Sequence, residues 1–239
     1  MSATGPDQPM SCDACVIRNR AICADLDASE LAVLGKLGRK RKLEAGQSLI
    51  WEGDEAVLVA NVMDGLLKLS THTADGKEQI LGLAYPSDFL GRPFGQTTPY
   101  GVEALTDAYV CIFQRADFDC FAREHPRLEH KLLERTLAEL DRTRRWMLLL
   151  GRMSAEQKLA NLLLELDERL GVRGCVPRLD PNAIWTLPLS RQQIADVLGL
   201  TIETVSRLFT RMKGEGMIAL PSRREVAILD RPALEDCAA

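Results

Sequence analysis

The sequence predicts an α+β protein, with an antiparallel β-roll first, a long helix next and a winged helix-turn-helix domain at the C-terminus. Three observations predict it. Between about residues 38 and 113, short apolar runs alternate with turn signals such as Asp64-Gly65, a pattern typical of antiparallel strands. From Ala116 onward the apolar residues recur with the period of helices. Near the C-terminus, two short helical segments flank Gly199.

Length and composition restrict the class of protein. The 239 residues suit one large or two ordinary domains, and 46% hydrophobic with 27% charged residues is a globular composition. No apolar stretch approaches the ~20 residues that a membrane helix needs. The first ten residues lack the basic start and apolar block of a secretory signal, so we expect a cytoplasmic protein whose seven cysteines stay reduced.

Turn and cap residues divide the first half of the chain. Residues 1–25 form a cysteine-rich segment, and Asp27 with Glu30 suits the cap of a helix that ends at Leu37. The β-roll is predicted over residues 26–125. Its clearest strand-like runs are 48–51, 58–63, 66–69, 79–85 and 109–113.

A long helix is predicted over about residues 127–150, within a dimerisation segment that we place at 126–151. One stripe has the a/d spacing of a coiled coil: Leu133, Leu137, Leu140, Arg144 and Met147. The helix could instead pack on its own domain, but the other positions are mostly charged, which favours a dimer seam. Because Arg142, Arg144 and Arg145 would bring like charges near the two-fold axis, we expect a conditional dimer.

The C-terminal domain, residues 152–239, begins with a predicted helix at 155–170, a loop at 171–182 and a short extended segment at 185–189. Ser190 suits the cap of one short helix and Thr201 the cap of a second, with Gly199 at the turn between them. Residues 217–220 and 226–229 are predicted to form the hairpin wing. The other interpretation is a structural helical hairpin with a solvated charged face.

The second short helix has the side chains to recognise DNA. Glu203, Ser206 and Arg207 are three and four positions apart and therefore share one face. A carboxylate accepts a hydrogen bond from cytosine, and a guanidinium donates to guanine, in the major groove. Residues 187–229 hold six basic and four acidic side chains, whereas the whole chain has a net charge of −4.

The order of roll, long helix and winged helix-turn-helix resembles the Crp/Fnr family of bacterial transcription regulators, whose roll is cyclic-nucleotide-binding-like. The run GLTIETVSR, residues 199–207, is similar to the Fnr recognition helix, with its E-x-x-S-R motif on Glu203, Ser206 and Arg207. The resemblance implies a homodimer that binds a TTGAT-N4-ATCAA-like palindrome in double-stranded DNA and works with RNA polymerase. No catalytic constellation stands out, so we expect a protein that is not an enzyme.

The N-terminal cysteines have the spacing of a metal site, since Cys12, Cys15 and Cys23 form C-x2-C-x7-C. Thiolates at this density suit zinc or an iron–sulfur cluster, although C-x-x-C is also a redox motif. A fourth ligand must lie elsewhere. The candidates are Cys111, Cys120, Cys175 and Cys237. By its apolar neighbours alone, Cys111 would be a buried small hydrophobe.

The family resemblance implies a definite ligand set for an oxygen-labile [4Fe–4S] cluster, namely Cys12, Cys15, Cys23 and Cys111. It also implies that oxygen converts the cluster to [2Fe–2S] and thereby inactivates the regulator, which is active under anoxia. The seven-residue gap before Cys23 resembles the alphaproteobacterial FnrL/FnrN branch. We expect Cys120 to be a packing residue on a short helix, and Cys175 and Cys237 to be surface thiols.

A cyclic nucleotide is not the expected ligand. The family resemblance implies a Gly-Glu-Leu run and an Arg-Ser pair in members that bind one, whereas residues 88–94 have no Glu after Gly91 and residues 99–104 have no Arg-Ser pair. Two alternatives remain. One is a regulator of the same fold that senses haem-bound gas or another small effector. The other is a zinc- or cluster-carrying redox protein that does not bind DNA.

Overall fold

A computed structural model describes residues 12, 15–74, 76, 78–170 and 184–239, together with the backbone of Gln8–Pro9. The chain divides into two compact units, Met1–Asp141 and Arg142–Ala239. None of the helices in these ranges has the length and apolar character needed to cross a bilayer.

The first unit contains the predicted β-roll, built from two antiparallel sheets. Their strands are β1 (Gln8–Pro9), β2 (Arg39–Leu43), β3 (Ser48–Ile50), β4 (Leu58–Asp64), β5 (Leu67–His72), β6 (Glu78–Ala84), β7 (Phe89–Gly91), β8 (Gly101–Ala104) and β9 (Ala108–Gln114). One sheet has the order β1-β2-β9-β4-β7 and the other β3-β8-β5-β6. Alternate residues of β4 and β9, among them Ala60, Val62 and Val110, join the buried apolar cluster within the roll.

A second buried cluster covers the outer face of the five-stranded sheet, where helices α1 (Ala28–Leu37) and α2 (Arg115–Glu124) pack. Asp27 caps α1 in a capping box, because its carboxylate accepts the amide of Glu30 while the Glu30 side chain accepts that of Asp27. The ring of Phe118 lies 5.7 Å from that of Phe113 on β9. Cys111 faces this outer cluster, and not the interior of the roll.

Helix α3 (Pro126–Arg152) extends slightly beyond the prediction at both ends. All five seam positions are exposed in the single chain, and the four apolar ones, Leu133, Leu137, Leu140 and Met147, are between 43% and 70% exposed. An apolar stripe of this length is available for a second helix, so the dimer seam stays a prediction.

The second unit contains α4 (Ala155–Leu170), α5 (Arg191–Leu198), α6 (Ile202–Gly214) and α7 (Arg231–Ala238). A three-stranded sheet completes it, in the order β10 (Trp185–Thr186), β12 (Glu225–Ile228) and β11 (Ile218–Ala219). The predicted helix-turn-helix and wing are confirmed, and the predicted loop at 171–182 lies outside the described residues.

Candidate metal centre and nucleic-acid interface

Cys111 occupies the middle of β9 and is only 2% exposed. Its strand neighbours are Lys40 on β2 and Asn61 on β4. Cys12 and Cys23 are half-buried and pack against the same outer cluster as Cys111. Cys15 is also half-buried, and its amide donates to the carbonyl of Cys12, 3.3 Å away. The fold therefore brings the N-terminal cysteines to the strand that carries Cys111.

The thiols of the N-terminal segment affect the ionisation of Cys111. Burial raises the pKa of Cys111, and the negative charges that Cys12, Cys15 and Cys23 carry as thiolates raise it further. Burial, with Cys15 and Cys12 next, raises the pKa of Cys23 to about 11. Without a cation the thiols of Cys23 and Cys111 are neutral at physiological pH, and a bound metal would stabilise them as thiolates.

The end of α1 limits the space beside Cys111. Gly38 follows the helix with its amide on the carbonyl of Leu34. A Cβ at this position would lie 2.9 Å from Cε1 of Phe113 and 3.3 Å from Sγ of Cys111. Glycine therefore lets the backbone approach the thiol closely.

The four thiols suit a polynuclear cluster. Within the described ranges, no three His, Cys, Asp or Glu side chains converge on one point as a single bound ion requires. Each iron of a [4Fe–4S] cluster takes a different thiolate, so four neighbouring thiols serve without such convergence. Soft thiolate ligands and apolar surroundings match the chemistry of that group.

The remaining cysteines differ in part from expectation. Cys120 lies on α2 but is exposed, so its prediction as a packing residue is wrong; it occupies the solvent side of an amphipathic helix. Cys237 lies on α7 rather than in an extended tail, and burial raises the pKa of its thiol, so it is partly covered. Cys175 lies outside the described residues.

The two short helices of the second unit are closed by the caps that the sequence predicts. The hydroxyl of Ser190 accepts the amide of Gln193 and that of Thr201 accepts the amide of Thr204. Gly199, at φ 63° and ψ 40°, adopts the left-handed conformation that closes α5. Val205 and Phe209 of α6 are buried, which leaves the opposite face of α6 exposed.

Glu203, Ser206 and Arg207 all lie on that exposed face. Within the described ranges no carboxylate pairs with Arg207, whereas Arg211 contacts Glu156 at 3.0 Å and Glu215 at 2.8 Å. The guanidinium of Arg207 is therefore available to an external acceptor, and that of Arg211 is held within the domain.

Arg191 is a candidate contact that the sequence reasoning missed. Its guanidinium carbon lies 3.1 Å from the centroid of the Phe209 ring, and burial lowers its pKa to about 10. Its Nη1 is buried without a hydrogen-bond partner among the described side chains and backbone. A desolvated cation at the start of a helix suits a phosphate oxygen. The signal available in the sequence was a basic residue directly after the Ser190 cap.

Two family models match the chain. Residues 40–125 match the model of the cyclic nucleotide-binding domain, and residues 157–237 match that of the Crp-like helix-turn-helix domain. The first match concerns the roll, in which Arg92 is exposed.

Characterised relatives match almost the whole chain. The transcriptional activator protein FnrL of Cereibacter sphaeroides is 44% identical over 92% of this chain and 88% of its own length. The nitrogen fixation regulation protein FixK of Bradyrhizobium diazoefficiens is 39% identical over 95% of this chain and 94% of its own. The solved structure of FixK2 from Bradyrhizobium japonicum superposes with a TM-score of 0.76 at 30% identity, covering 84% of this chain and 98% of that one.

Proposed function

The chain belongs to the Crp/Fnr family of transcription regulators, and we propose that it is an oxygen-responsive member that binds its DNA site as a homodimer under anoxia. Cys12, Cys15, Cys23 and Cys111 would hold a [4Fe–4S] cluster. The proposal rests mainly on one observation: the N-terminal cysteines lie near Cys111, the buried cysteine of β9.

When bound, the cluster supplies an oxygen-labile tie between the N-terminal segment and β9. The chain's own residues position that segment. Ile22 and Leu26 are buried in the outer cluster, and Lys131 of α3 pairs with Asp25 at 3.3 Å. The cysteine segment is thereby connected to the helix that carries the dimer stripe. A change in the segment can bias α3, which is the physical basis for coupling the thiols to dimerisation.

The exposed face of α6 is the reading surface in this proposal. Glu203 and Arg207 would contact the edges of a C·G pair, and Ser206 a neighbouring base, within a TTGAT-N4-ATCAA-like palindrome. Arg191 would bind a phosphate and fix the register of the domain. A homodimer presents two such surfaces, which matches a palindromic site. RNA polymerase is the proposed partner at the promoter.

The test begins with protein purified without oxygen, in which iron, acid-labile sulfide and visible absorption are measured. We expect about four irons and four sulfides per chain and an absorption that changes in air. Cys111→Ser should lose the cluster, while Cys120→Ser, a matched change at an exposed thiol, should retain it.

The same preparations are then titrated with a fluorescent duplex that carries the palindrome. Anaerobic parent protein should bind more tightly than protein exposed to air, and Cys111→Ser should behave like the latter. Bound zinc, or equal DNA affinity before and after air, would contradict oxygen sensing and leave a DNA-binding regulator with another signal.

A further inference from the structure

Asn61 is a buried polar residue directly beside the thiol of β9. It lies on β4, opposite Cys111 on one side and Phe89 on the other. Side chains of directly opposed residues point to the same face of a sheet, with Cβ atoms about 5 Å apart. Asn61 therefore shares the outer face of the sheet with Cys111, and it is only 2% exposed.

The surroundings of Asn61 are otherwise apolar. On this face its neighbours are Val59, Phe89 and Phe113, all members of the outer cluster or packed against it. Oδ1 of Asn61 is buried and has no hydrogen-bond partner in the part of the chain that the structure describes. A buried amide atom without a partner destabilises the fold, so an apolar residue would serve packing better here.

The side-chain amide of Asn61 could donate a hydrogen bond if an acceptor were bound beside it. The oxygen and nitrogen of the Asn side chain occupy nearly equivalent positions, so a half-turn places an N–H donor where Oδ1 lies. A neutral thiol is a weak acceptor, whereas a metal-bound thiolate or a sulfide carries negative charge and accepts strongly. The adjacent Cys111 is the residue that would supply such a sulfur.

We propose that Asn61 is a positioning residue that donates an N–H···S hydrogen bond to the sulfur at Cys111 once the cluster is bound. This role rests on the proposed function. Hydrogen bonds to cluster sulfurs stabilise the more negative, reduced form and raise the reduction potential. The same bond opposes oxidative loss of iron. Asn61 thus destabilises the metal-free protein and stabilises the loaded one.

The decisive variant is Asn61→Leu, which keeps the branching of the side chain at Cγ and removes the donor. In metal-free protein we expect the melting temperature to stay the same or rise, because an unsatisfied polar group has been removed. In anaerobic loaded protein we expect a lower midpoint potential. Iron should also pass to a chelator about tenfold faster, the effect of losing one hydrogen bond to a charged acceptor.

Two further variants separate hydrogen bonding from packing. Asn61→Thr retains a donor on a β-branched residue that suits a strand, and should recover much of the potential and of the iron retention. Val59→Ala removes volume from the same face of β4, and should lower the melting temperature while leaving the potential unchanged.

Equal potentials and iron-release rates in parent and Asn61→Leu would overturn the role of Asn61. A lower melting temperature of metal-free Asn61→Leu, with Val59→Ala losing iron as fast, would also overturn it, because packing would then explain the loss. A parent protein that binds no iron would overturn the proposed function itself, and this role with it.

Discussion

Replacing Gly38 with Ala tests how closely α1 must approach the thiol of β9. The added Cβ would lie 2.9 Å from Cε1 and 3.4 Å from Cζ of Phe113, and 3.3 Å from Sγ of Cys111. The ring of Phe113 cannot easily move away, because it packs on Phe118, whose ring lies 5.4 Å from that of Phe89. The substitution therefore overpacks the outer cluster.

Two opposing effects set the magnitude. Gly38 has φ −78° and ψ 148°, a conformation that alanine adopts without strain. Restricting the unfolded chain should therefore stabilise the protein by about 0.4–1 kcal/mol. Overpacking a buried cluster destabilises by about 1–3 kcal/mol. Since the closest contact is with a confined ring, the second effect should dominate, with a net loss of about 1–2 kcal/mol.

Hydrogen exchange of the amides in β9 measures this loss locally in metal-free protein. A loss of this size corresponds to exchange about five to thirty times faster where global or sub-global opening governs it. Gly82→Ala on β6 is the matched control, because a Cβ there meets nothing within 4 Å and should be neutral or stabilising. Unchanged exchange in Gly38→Ala would refute the argument that the glycine is needed for close approach.

Three further predictions follow from the charges. Arg144→Leu should raise the dimer association constant in air by at least about tenfold in sedimentation equilibrium, because it removes a like charge from the seam and adds an apolar side chain there, while Arg145→Leu, beside the seam, should raise it less. Arg191→Gln should weaken binding to specific and scrambled duplexes equally. It should also reduce by about one the slope of the logarithm of the DNA-binding constant against the logarithm of the salt concentration. Weaker binding confined to the palindrome would contradict a phosphate contact. Burial acts to raise the pKa of Glu78, but the hydrogen bond from Lys68, at 2.6 Å, acts together with a hydrogen bond from Ser70 and the positive charge of Lys68, and the net effect lowers that pKa. The stabilisation from Glu78 is therefore present above its ordinary pKa and is lost as pH falls through the lowered value. Glu78→Gln should make the free energy of unfolding, measured by urea denaturation, decline less as the pH falls, by less than about 1 kcal/mol.

Helices α1, α4, α5 and α6 were predictable from sequence because they carry their own boundary signals, whereas α7 was not predicted. The boundaries of α4 and α5 agree with the prediction, and the caps Asp27, Ser190 and Thr201 all form. These signals act within a few residues of the chain, so no tertiary information is needed.

The edges of the roll were less predictable. β2 reads Arg-Lys-Arg-Lys-Leu, which lacks the apolar alternation of a strand, and it forms because β9 offers it a partner from Arg39 to Leu43. β7 and β8 were also missed, because strands of three and four residues are too short to show an apolar alternation. Strand pairing over long sequence separation overrides local propensity at such positions.

The role of Cys111 in the candidate metal centre could not be predicted from its sequence neighbours alone. From residues alone, Cys111 is a buried small hydrophobe, whereas the family resemblance makes it a ligand, and these two interpretations are compatible. Burial and the neighbouring thiols raise the pKa of Cys111, so that without metal its neutral thiol packs as an apolar group. With metal it would be a thiolate in the same place. β9 can therefore keep its pairing with β2 and β4 in both states, and the change that follows loss of the tie would fall on the N-terminal segment rather than on the roll. Protection of β9 amides that is similar with and without the cluster, alongside faster exchange at residues 15–26 in its absence, is the pattern that this reasoning requires.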